Sequence, residues 1–235
     1  MAGLCDAGRP ARAMSAIALI VVAGWSASAS ADIVTEFDFT GQPGTQTTQL
    51  ASTVDPNLAA DPVLSKGSGL VPGRGVPNSF GAQNWQESQP GPASTDYFSF
   101  TLTPIEGYFV EVTDILAGVI GLGNGAPTSA ILRSSLDGFS VDLDSVPITT
   151  TATDQTFQLS SPLAFTEAVE FRIFATGAGN TEARFALTSA SGAAGLVING
   201  TVAAVPEPSS SLLIGTLCLV ATGVRVLRGS QPIAT

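Results

Sequence analysis

Residues Ala168–Thr176 read AVEFRIFAT. Val169, Phe171, Ile173 and Ala175 fall on one side of an extended chain, and Glu170, Arg172 and Phe174 on the other. That period of two is the mark of a half-buried β-strand. It recurs in Asp96–Thr103 (DYFSFTLT), where Phe98, Phe100 and Leu102 oppose Tyr97, Ser99 and Thr101. It recurs again in Asp32–Thr40 (DIVTEFDFT), where Ile33, Thr35, Phe37 and Phe39 oppose Val34, Glu36, Asp38 and Thr40. Further strands are expected over Gly107–Thr113 with a continuation through Asp114–Ile120, over Ser129–Ser134, and around Phe157 within Thr149–Leu159. Ala183–Thr188 and Leu196–Val205 close the series. Asp137-Gly138 is a tight-turn signal leading into a strand over Phe139–Leu143. Gly121–Pro127 (GLGNGAP) and Gly177-Ala178-Gly179-Asn180 read as loops. Short strands spaced by about 8–12 residues predict an all-β fold, an antiparallel two-sheet β-sandwich of jelly-roll type.

Residues 41–95 have a different texture. Seven prolines fall between Pro43 and Pro92, with many Gly, Ser, Gln and Asn. A long structureless loop is unusual inside a domain, so short edge strands and turns lying over the sandwich are expected. Trp85 is the one tryptophan outside the apolar N-terminal run. It is a candidate for stacking on a sugar ring, or else a plug beneath the long loop.

Composition excludes several chemistries. Histidine is absent, which removes His-based general bases, Ser-His-Asp triads and His-held metals. The two cysteines, Cys5 and Cys218, lie in the terminal segments, so residues 32–205 hold neither a disulfide nor a thiol. The net charge is -10, and the basic residues of 32–205 are only Lys66, Arg74, Arg133, Arg172 and Arg184. Such a chain repels nucleic-acid phosphates and anionic lipid, and no nucleic-acid partner is expected. Gly121-Leu122-Gly123-Asn124-Gly125 is glycine-rich but lacks the Lys-Ser/Thr of a phosphate loop, and no cofactor is assigned.

Acidic residues offer oxygen donors. Asp137, Asp142 and Asp144 cluster in LDGFSVDLDS, with Asp142 and Asp144 on one face of a strand. Glu36 and Asp38 share a face of the first strand. These five are the candidate calcium ligands, although neither group has the spacing of an EF-hand loop. The alternative is a set of solvated strand ends. Nothing singles out Glu106, Glu111, Glu167 or Glu170 as the carboxylate pair a glycosidase needs, so no catalytic residue is assigned.

The two ends carry addresses. Arg9 and Arg12 precede the apolar run Met14–Trp25, and Ser26–Ala31 is a stretch of small residues. This is the pattern of a signal peptide over 1–31, cut after Ala31 or, as second choice, Ala29. At the other end Pro206-Glu207-Pro208 precedes an uncharged run through Val224, followed by Arg225 and Arg228. A helix over 209–224 would be about 24 Å long, short for a bilayer core, but terminal arginines can reach the interface. Positive charge after the span keeps the tail cytoplasmic.

Pro206, Glu207, Pro208, the apolar span and the terminal arginines together resemble the PEP-CTERM sorting signal of Gram-negative and related bacteria. The resemblance implies processing by signal peptidase and an exosortase, a membrane-anchored precursor in the inner membrane, and delivery to the cell surface or extracellular matrix. It also implies association with exopolysaccharide. Tyr97–Leu102, Gly107-Tyr108, Leu132–Phe139, Phe171–Phe174 and Gly200-Thr201-Val202 are similar to a recurring class of PEP-CTERM proteins. That class resembles jelly-roll carbohydrate-binding modules in outline and brings no activity. The expected organisation is a signal peptide over 1–31, a sandwich over 32–205 and a sorting signal over 206–235. The expected function is that of an exported, non-catalytic surface or matrix protein. The alternatives are a carbohydrate-binding module and a matrix glycan hydrolase.

Overall fold

Fifteen strands and two short 3-10 turns make up residues 32–73 and 75–206, the part of the chain that this computed structural model describes. The signal sequence expected over 1–31, the helix expected over 209–224, and Glu207, Pro208, Arg225 and Arg228 lie outside the described residues. The strands are β1 (Asp32–Phe37), β2 (Pro43–Gly44), β3 (Thr48–Leu50), β4 (Thr53–Val54), β5 (Val63–Lys66), β6 (Val71–Pro72), β7 (Ser79–Gln83) and β8 (Tyr97–Leu102). Then follow β9 (Tyr108–Leu122), β10 (Ser129–Ser134), β11 (Asp144–Pro147), β12 (Thr153–Phe165), β13 (Val169–Thr176), β14 (Arg184–Thr188) and β15 (Leu196–Ala204).

They form two sheets. The larger has nine strands in the order β2-β7-β14-β9-β15-β1-β4, with β12 also paired to β9 and β6 to β7. The smaller has six, ordered β11-β10-β13-β8-β5-β3. Pairing is antiparallel except where Pro43–Gly44 runs parallel to Ser79–Phe80. Among the described residues no helix is long and apolar enough to cross a membrane.

The core is an aromatic layer between the sheets. Phe98 and Phe100 of β8, with Phe171 of β13, face Phe37, Phe80 and Phe185 of the other sheet, and all six are buried. Phe98 meets Phe80 edge-on with ring centroids 5.0 Å apart, and Phe100 stacks on Phe171 at 5.3 Å. The alternation read in β8 and β13 therefore points the intended side chains inward. Phe174 departs from it. It lies on the outer face of β13 yet is buried, covered by Tyr97 (5.8 Å between centroids) and by the Arg133 guanidinium.

Three local expectations are corrected. In β1 the register shifts between Ile33 and Thr35, so Ile33 is exposed and Val34 is buried. A bulge of this kind moves side chains to the other face. Phe139–Leu143 is not a strand. A 3-10 turn over Ser135–Asp137 ends at Gly138 with φ 68°, and Phe139 also takes a positive φ of 61°. The Asp137 carboxylate accepts hydrogen bonds from the Ser140 and Val141 amides, so it folds a compact loop instead of a hairpin. Residues 41–95 supply more than edges. β7 lies between β2 and β14, β5 lies between β3 and β8, and Leu64, Phe80 and Ala82 are core residues.

One carboxylate ties the sheets along a side. Asp144 in β11 accepts from its neighbour Ser145 N (2.8 Å) and, across the seam, from Gln158 N of β12 (2.7 Å). That amide sits on an edge strand and has no ladder partner on this side. Asp144→Ala is expected to cost about 1 kcal/mol, the usual worth of a solvent-accessible hydrogen bond, measured by chemical denaturation. An unchanged midpoint would mean water replaces the carboxylate at no cost.

Candidate functional site

β9 is the longest strand, with 15 residues. Val110 and Val112 point inward, then Ile115, Ala117 and Val119 do. The parity changes where β15 shifts register between Asn199 and Gly200 and β12 shifts between Gln158 and Leu163. At its Tyr108 end, β9 runs beside the exit of β15, with Ala204 opposite Tyr108 and Val205 N donating to Gly107 O at 2.8 Å. β1 enters on the same side, with Asp32 opposite Gly200. At about 3.3 Å per residue the other end of β9 is roughly 45 Å away.

A cleft lies at that far end. Gln83, Arg184 and Leu122 are register neighbours on β7, β14 and β9. Beyond them the loops after β9 and β13 rise side by side. Asn180 joins the two loops. Its Nδ2 donates to Asn124 O (2.8 Å) and its Oδ1 accepts from Glu182 N (3.0 Å). Gly179 N donates to Gly125 O at 2.8 Å. Gly125 has φ +72°, and a Cβ there would sit 3.0 Å from Asn180 Nδ2, so the close approach depends on glycine. The resulting cleft holds about 320 Å³ and is lined by Gln83, Gly123, Asn124, Asn180, Glu182 and Arg184.

The lining is chemically mixed. Three amides both donate and accept, Glu182 accepts, and Arg184 donates in a fixed fork. No hydrogen bond to another described residue engages the side chains of Gln83, Asn124 or Glu182. Arg184 packs its stem against Gly73. Among the described residues no aromatic side chain lines the cleft. Its volume is at the low end of the range for small-ligand sites, about 300–1,000 Å³.

The residues singled out in the sequence lie elsewhere. Trp85 is 1% exposed, packed edge-on against Phe98 (5.0 Å) and Phe185 (5.3 Å), with Nε1 donating to Ala82 O. Neither face of its indole is open to a sugar, so Trp85 is the plug beneath the loop and not a stacking platform. The five calcium candidates do not converge. Asp142 pairs with Arg133 (2.6 Å), Asp137 caps its own loop and Asp144 bridges the sheets. Asp142 precedes β11, so it shares no strand face with Asp144. Glu36 accepts from Thr53 Oγ1 (3.0 Å). Asp38 lies past the end of β1, where hydrogen bonds from Thr40 hold its carboxyl below the usual range. Among the described residues no three acidic or thiol groups gather as a metal site. Pro206 is exposed just beyond β15.

The cleft itself was not marked in the sequence. A repeated pattern nonetheless points to it: Gly-x-Gly-Asn occurs as Gly121-Leu122-Gly123-Asn124 and as Gly177-Ala178-Gly179-Asn180. The two copies become the two loops of the cleft.

No protein-family model and no curated protein matches the chain. Solved structures similar to it include three that cover about seven tenths of the chain. One is the C-terminal domain of a chitobiase from Bacteroides fragilis, 14% identical over 68% of this chain and 97% of that one, with a TM-score of 0.33. Another is CBM32-1 from a family 31 glycoside hydrolase of Clostridium perfringens, 14% identical over 71% and 93%, with a TM-score of 0.31. The third is a family two carbohydrate esterase from Cellvibrio japonicus, 10% identical over 76% of this chain and 36% of the esterase, with a TM-score of 0.29.

Proposed function

We propose that this is an exported surface or matrix protein whose sandwich binds carbohydrate in the cleft between the Gly-x-Gly-Asn loops, without catalysing a reaction. The observation that carries the binding reading is the lining: amide, carboxylate and guanidinium groups converge on strand ends, and sugar hydroxyls both donate and accept. The non-catalytic reading is supported by the single carboxylate among the described lining residues, Glu182, where glycoside hydrolysis uses two. A jelly-roll description is supported by the path of the chain, which from β7 onward changes sheet at every step except β10 to β11 and β14 to β15. Export is supported by the apolar run Met14–Trp25 with its small-residue tail, and by Pro206-Glu207-Pro208 ahead of a second apolar run and Arg225 and Arg228.

Binding is tested by affinity electrophoresis against soluble polysaccharides. Asn124→Ala and Glu182→Gln are each expected to weaken retardation about tenfold, the loss of one or two hydrogen bonds. Retardation equal to wild type in both variants would remove the cleft from the reading. Release of reducing ends from any bound glycan would overturn its non-catalytic part. Export is tested by intact mass in surface and medium fractions of the native host. A chain starting near Asp32 and ending near Val205 is expected. A mass that keeps residues 206–235 would mean a membrane-anchored sandwich.

A further inference from the structure

From the charge distribution we infer that the cleft accepts a neutral, hydroxyl-rich glycan and rejects acidic polysaccharide. This rests on the carbohydrate reading of the cleft and adds the class of ligand. Among the described lining residues Glu182 is the one acid and Arg184 the one base, with three neutral amides around them. A uronate carboxylate seated against Arg184 would also face Glu182 in the same small space.

The other described bases offer an anion at the cleft no compensation. Arg133 is occupied by Asp142 and by the carbonyls of Pro90 and Phe139. Arg172 is paired with Glu170 and lies between the Tyr97 and Phe139 rings, at 4.2 and 3.8 Å. Lys66 points between the sheets over Phe80. None of these three lines the cleft, and the chain carries a net charge of -10. A polyanion therefore approaches against the field of an acidic chain. The bare lining also sets how a sugar is held. With no aromatic platform, ring faces are not read, and selectivity comes from hydroxyl positions alone.

The test is affinity electrophoresis of the domain at physiological salt. The probes are a neutral panel (galactomannan, dextran, xyloglucan) and an acidic panel (alginate, polygalacturonate). At least tenfold stronger retardation by a neutral polymer is expected, and it should fall in Glu182→Gln and Asn124→Ala. Stronger retardation by an acidic polymer, lost in the same variants, would overturn this inference while leaving a glycan-binding cleft. Retardation by neither panel would overturn both.

Discussion

Trp85→Ala is expected to destabilise the domain by about 4 kcal/mol, more than any other single change considered for this protein. The indole is the largest side chain in the core, and it keys β7's exit loop into both sheets at once. Its two edge-on partners come from opposite layers, Phe98 from β8 and Phe185 from β14. Truncation leaves a void that rigid strands on both sides cannot collapse into. It also removes the donor that satisfies Ala82 O. The expected observation is a shift of the urea midpoint toward zero or an unfolded chain. Trp85→Phe should recover most of the loss, because it restores the apolar volume without the hydrogen bond. If Trp85→Ala folded normally and lost only glycan binding, the indole would have to face solvent, contrary to the packing.

Lys66→Met is expected to act in the opposite direction, raising stability by about 2 kcal/mol at neutral pH. Lys66 follows Leu64 on the inward face of β5, and its Nζ is buried without a hydrogen-bond partner. Only the Phe80 ring, 4.7 Å away, offers the charge any compensation. Burial brings its pKa down from 10.5 to about 8. The sign follows from this shift. Below pH 8 the lysine is protonated in both folded and unfolded chains, and the fold bears the full cost of the charge. Between pH 8 and 10.5 the folded chain has lost its proton and the unfolded chain still holds one. Wild-type stability therefore rises with pH across that window relative to the variant. The lysine as a whole is only half-buried, so the gain is smaller than the full pKa difference implies. Thermal melts of both proteins at pH 7 and pH 10 should show a gap of several degrees that narrows at the higher pH. A gap that widened would mean the ammonium is stabilised where it lies.

The strands that could be read from sequence are those with an unbroken period of two. β8 and β13 pair over Tyr97–Phe174 to Leu102–Val169 with every inward side chain as expected. Where a bulge intervenes, the period misleads. Ile33 sits outside because β1 shifts register after it, and β12 runs to Phe165 past an irregularity between Gln158 and Leu163. Asp137-Gly138 is equally suited to a hairpin and to the end of a 3-10 turn, and only the carboxylate's grip on Ser140 and Val141 selects the second. The cleft was harder still. Its residues come from three separated places, around Gln83, Asn124 and Glu182, and polar residues in Gly-rich loops look alike until pairing brings them together. Trp85 stood out by its rarity, and rarity says nothing about which way a side chain points.

The placement of the cleft and the chain exit at opposite ends of β9 has a mechanical meaning. A polymer gripped at Asn124 and a tether beyond Ala204 would pull on the domain along its strands. Antiparallel hydrogen bonds lie across that direction, so the β9 and β15 ladder carries the load in shear, all rungs together. Pulling at β4, which pairs with β1 only at Thr35 and Glu36, would instead peel its few bonds in turn. In single-molecule extension the lengthwise geometry should therefore rupture at the higher force, and the domain would act as a tie that holds under tension.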